Sequence, residues 1–126
     1  MIKYDYYQTM LAILEDYLPY YFDKHKIFPK QWEMDELEEE LYDNLYNLDN
    51  ITGNGRGYFE TSNQEVAYGR LYGNYDLVAD ALDEYAMNDR EILSYLRDPL
   101  SLDVIIRCYI LRECLHDYLT DLYDEL

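Results

Sequence analysis

Side chains able to titrate or attack near neutral pH are few in this chain, so the search for chemistry starts with His25, His116, Cys108 and Cys114. The two cysteines lie six positions apart on one predicted helix, on different faces, too far apart to bridge as a disulfide. Cys108 falls in an apolar stretch, which suits a packed thiol better than a low-pKa nucleophile. Cys114 reads as the more exposed of the two, with only Arg112 and His116 as basic neighbours. Glu113 and His116 have the spacing of one half of a di-iron ligand set, but that site needs the motif twice and two more carboxylates, so they read as a solvated pair.

Asn50, Thr52, Asn54 and Gly55 resemble the start of a calcium loop, yet the leading Asp is absent and Glu60 comes one place early. The glycines of GNGRG lack the Lys-Ser/Thr of a phosphate loop. These residues predict no catalytic centre, no metal site and no cofactor.

Carboxylates remain, and they are abundant: 27 Asp and Glu against 10 Lys and Arg, a formal net charge of -17. Such a chain repels nucleic acid and anionic membrane surfaces and attracts basic partners over long range. Glu33, Asp35, Glu36, Glu39, Glu40 and Asp43 fall on the polar side of one predicted helix, and Asp80, Asp83 and Glu84 on another. Residues four apart on a helix are about 6 Å apart along its axis, and a DNA strand presents a charge about every 3.4 Å. A rigid row of carboxylates can therefore meet the Lys and Arg that ordinarily neutralise phosphates. Solubility alone is the plainer explanation of the same pattern.

The elements that must carry these residues are helices. Tyr7, Met10, Leu11, Leu14 and Leu18 repeat at helical spacing over residues 4 to 17, and Pro19 is expected to interrupt or kink that helix. Met34, Leu37, Leu41, Leu45 and Leu48 predict a second over 32 to 48, with no basic residue between Gln31 and Ile51 to form salt bridges along it. Residues 49 to 61 read as a Gly-rich turn with a short strand or hairpin near 51 to 61, and Ser62 with Glu65 as a capping box opening a helix to about Tyr72. Tyr75, Val78, Ala79 and Leu82 predict another helix. Asn88 with Glu91 caps a short one over 89 to 97, and the last, from about Leu102 to Tyr123, is expected to be central, with Val104, Cys108, Leu111, Leu115, Tyr118 and Leu122 as its seam. The fold class is mainly α, a compact bundle of about five to six helices in one domain over residues 1 to 126.

Tyrosine is the second compositional anomaly, 17 residues against three Phe and one Trp. An apolar ring with a hydroxyl suits the rim of a core or a contact surface equally. No apolar run reaches the length of a membrane span, and MIKYDYYQTM lacks the apolar core of a signal peptide, which predicts a cytoplasmic protein.

Three segments, ITGNGRGYF (51 to 59), DLVADALDEYA (76 to 86) and DVIIRCYIL (103 to 111), resemble small acidic proteins of uncharacterised function encoded in mobile elements of Gram-positive bacteria. Such elements carry anti-restriction and anti-CRISPR inhibitors. The resemblance implies a partner in the bacterial host: the basic groove of a nucleic-acid-binding defence enzyme, such as a CRISPR nuclease. The alternative from the residues is an adaptor or regulatory protein that binds another protein through a Tyr-rich apolar surface.

Overall fold

The computed structural model describes residues 5 to 45 and 69 to 126. The expected glycine-rich turn and hairpin, and the capping box at Ser62, lie outside the described residues. Within them the chain forms α1 (Tyr6–His25), a single 3-10 turn (Pro29–Gln31), α2 (Met34–Leu45), α3 (Tyr75–Tyr85), α4 (Asp89–Arg97) and α5 (Pro99–Asp124), with no strand among the described residues. The mainly helical class expected from periodicity is what forms.

α5 is the helix on which α1, α2, α3 and α4 all pack. Its sequence explains that role. Leu102, Ile105, Ile106, Ile110, Leu111, Leu115 and Leu119 are buried on several sides of the helix, so it can serve several partners at once. Against it lie Met10, Leu14 and Leu18 of α1 and Leu37, Leu41 and Leu45 of α2, all fully buried. These two stripes follow the spacing read from the sequence.

Local signals fix the helix ends. The Asp5 carboxylate accepts the Gln8 N–H at 2.9 Å and starts α1. Lys26 takes the left-handed conformation (φ 54°) that closes it. At α4 the Asn88 side chain accepts the Glu91 N–H at 3.0 Å while Glu91 accepts the Met87 N–H at 2.5 Å. Gly73, at φ 78°, makes the join before α3.

Two expectations are corrected. Of the two outcomes expected at Pro19, an interruption and a kink, the interruption does not occur: α1 continues through it to His25. Pro19 and Glu15 are both exposed, so the missing bond falls on the outer side of the helix, and Tyr21 beyond it is buried. The cysteines exchange roles. Cys114 is fully buried, its thiol directed at the Tyr7 carbonyl at 3.6 Å, and Cys108 is only partly buried. Of the predicted seam of α5, Leu111 and Leu115 are fully buried, whereas Val104, Cys108, Tyr118 and Leu122 are only partly buried; Ile106, Ile110 and Cys114 take the inward places instead.

Candidate functional acidic surfaces

Of the carboxylates singled out from the sequence, Glu33, Asp35, Glu36, Glu39, Glu40, Asp43, Asp80, Asp83 and Glu84 are all exposed. α2 places its leucines inward every fourth residue, which forces the intervening acids outward. Tyr42 and Tyr85 share a hydrogen bond of 2.8 Å between their hydroxyls, joining α2 to α3 where the two acidic helices meet. Burial and that bond raise the Tyr85 pKa, so its phenol stays protonated.

The expectation that α2 receives no salt bridge is overturned, because its cations come from another helix. Arg112 of α5 lies 2.5 Å from Glu39 and 4.0 Å from Glu38, and its guanidinium stacks 3.9 Å from the Tyr42 ring centre. His116 Nδ1 lies 2.9 Å from Glu38 Oε1, and that contact raises the His116 pKa. Glu39 is therefore committed to holding α2 on α5. Glu33, Asp35, Glu36 and Glu40 make no ion pair among the described residues.

A second array of carboxylates follows from how α1 lies against α5. A cavity of about 500 Å³ is lined by Asp5, Tyr6, Tyr7, Asn74, Leu77, Asp80, Tyr109, Ile110 and Glu113. Tyr7 also lines an adjoining one of about 250 Å³, whose other walls include Glu15, Asp117, Tyr118, Asp121 and Glu125. Among the described residues no basic side chain lines either. The Tyr7 hydroxyl donates to Asp117, and this bond pushes the phenol up to about 12. Burial, with Glu113, Asp80 and Glu84 nearby, raises Tyr109 as well. The phenols thus remain neutral donors among anions. Glu113, Asp117 and Asp121 recur at every fourth position in the sequence, which was a legible stripe, but periodicity does not say that α1 would lie beside it.

One charged cluster is wholly internal. Asp103 and Arg107 are completely buried. The Tyr6 hydroxyl donates to Asp103 Oδ1, Arg70 Nη1 lies 3.2 Å and Arg107 Nε 3.6 Å from its Oδ2, and Arg107 Nε also approaches the Asp103 carbonyl at 3.4 Å. Burial lowers the Arg107 pKa while Asp103 opposes that change. The cluster ties the start of α1 to α5 and to Arg70.

Among the described residues no group of three or more His, Cys, Asp or Glu is gathered closely enough to hold a metal ion. Burial pushes the Cys114 thiol up to about 12 and raises Cys108 too, so neither is a thiolate at neutral pH. No helix among the described residues is long and apolar enough to cross a membrane. An apolar groove of about 320 Å³ lies between α3 and the start of α5, lined by Leu71, Tyr72, Tyr75, Val78, Leu96, Pro99 and Leu102. Tyr72 and Tyr75 are more than half exposed there. Comparison with protein-family models, with curated proteins and with solved structures finds no match for this chain.

Proposed function

We propose that this protein is an inhibitor that occupies a basic nucleic-acid-binding surface of a host defence enzyme, presenting carboxylates where the enzyme expects phosphates. One observation carries the reading: Asp35, Glu36 and Glu40 stand exposed on a helix anchored by three fully buried leucines, with Glu33 exposed just before its first turn, and none of the four makes an ion pair among the described residues. Asp80, Asp83 and Glu84 on α3 extend the display. Charges on a rigid support lose little freedom on binding, which favours affinity. The resemblance to small acidic proteins of mobile elements is consistent with a CRISPR nuclease as the target.

The test is displacement of labelled DNA from a panel of CRISPR and restriction nucleases at low salt. We expect release from at least one enzyme, weakened by added salt and by the double reversal Glu36→Lys with Glu40→Lys. Undiminished DNA binding across the panel in the presence of excess protein rejects the proposal.

A second reading, an adaptor that docks through tyrosines, is favoured by the exposure of Tyr72 and Tyr75 beside the apolar groove. Under that reading Tyr72→Ser with Tyr75→Ser abolishes capture of the partner and the α2 reversals leave it intact.

A further inference from the structure

α4 differs from the other four α-helices named above in burying none of its residues. Ile92 and Tyr95 turn partly inward, whereas Leu93 and Leu96 are 52% and 49% exposed. Asp89, Leu93 and Arg97 occur at successive fourth positions and so form one stripe along the outer side of the helix. Asp89, Arg90 and Arg97 are exposed and make no ion pair among the described residues. Leu96 continues the apolar surface into the groove beside Tyr72 and Tyr75.

We propose that α4 is the contact through which two copies of this chain associate, antiparallel about a two-fold axis at Leu93. The stripe reads anion, leucine, cation, and reversed it reads cation, leucine, anion. An antiparallel copy thus sets each Asp89 opposite the other copy's Arg97 and Leu93 against its equivalent, the self-complementarity that a two-fold interface requires. Charge also selects this occupant over others. Two chains of net charge -17 repel wherever carboxylates dominate. The charges of α4 balance, Asp89 and Glu91 against Arg90 and Arg97, which lets two copies approach there. A basic partner would meet Arg90 and Arg97 with like charge.

Sedimentation velocity across a range of protein concentrations tests the proposal, with helical content checked by circular dichroism. The chain is expected to show a concentration-dependent dimer that Leu93→Glu abolishes. Asp89→Arg alone and Arg97→Asp alone each turn two attractive pairs into repulsive ones and should weaken self-association at least about tenfold. Mixed in equal amounts, these two variants should form a heterodimer, because each then supplies the charge the other lacks. A wild-type chain that stays monomeric at millimolar concentration overturns the proposal. So does a dimer indifferent to Leu93→Glu, or a pair of weakened variants that fail to rescue each other.

Discussion

Two clusters of carboxylate and guanidinium hang from α5, and they differ in almost everything except chemistry. Asp103 with Arg107, Arg70 and Tyr6 sits where the two α5 side chains are wholly removed from water. Arg112 with Glu39, and His116 with Glu38, sit at the surface, where Glu39 is 62% and His116 59% exposed. Inside, removing one partner strands a charge that has no water to turn to. Outside, water and salt replace whatever is lost. A distance between charged groups therefore says little about stability until the burial of both partners is known.

The comparison breaks first at its buried end. Asp103→Ala leaves Arg107 in the core without its carboxylate and is expected to cost about 3–5 kcal/mol, measured by urea unfolding. A loss below about 1 kcal/mol would mean that water reaches the cluster. Next comes Arg112→Ala, which removes both the ion pair and the stacking on Tyr42, for about 1 kcal/mol. Glu39→Gln removes only the pair and should cost less, and 1 M salt should erase most of the Glu39→Gln cost while leaving the Asp103→Ala penalty intact.

The smallest effect concerns pH. The His116 pKa is raised by its hydrogen bond to Glu38, so the stabilisation from this contact is complete below the ordinary value of 6.5 and fades as pH rises through the elevated folded-state pKa. A slight loss of stability on passing from pH 6 to pH 8, absent in His116→Gln, is the expected result. An equal slope in both proteins would remove His116 from the account.

Most of the fold was legible because local signals agreed with periodicity. The bounds of α4 follow from Asn88 and Glu91 at one end and Asp98 before Pro99 at the other, and the inward leucines of α2 follow from their spacing alone. What failed depended on neighbours in space. Pro19 sits on the exposed side of a continuous α1, with Leu18 and Tyr21 buried on either side of it, and that tertiary support is not written in the local sequence. Glu39 looked free because its partner, Arg112, lies on another helix. Nothing in helical period reveals that Asp103, Arg107, Tyr6 and Arg70 converge on one point. The acidic α2 and α3 faces were legible as stripes, and the groove between α1 and α5 was not, because it belongs to two helices at once.

That every peripheral helix leans on α5 has a consequence for how the molecule is made. Translation supplies α1 and α2 long before the stretch from Pro99 to Asp124 that covers their leucines. Until it leaves the ribosome, the apolar stripes of the earlier helices lack their main cover, and the nascent chain has only its abundant like charges to keep it from sticking to its neighbours. The acidity displayed on the finished surface thus also safeguards the unfinished chain.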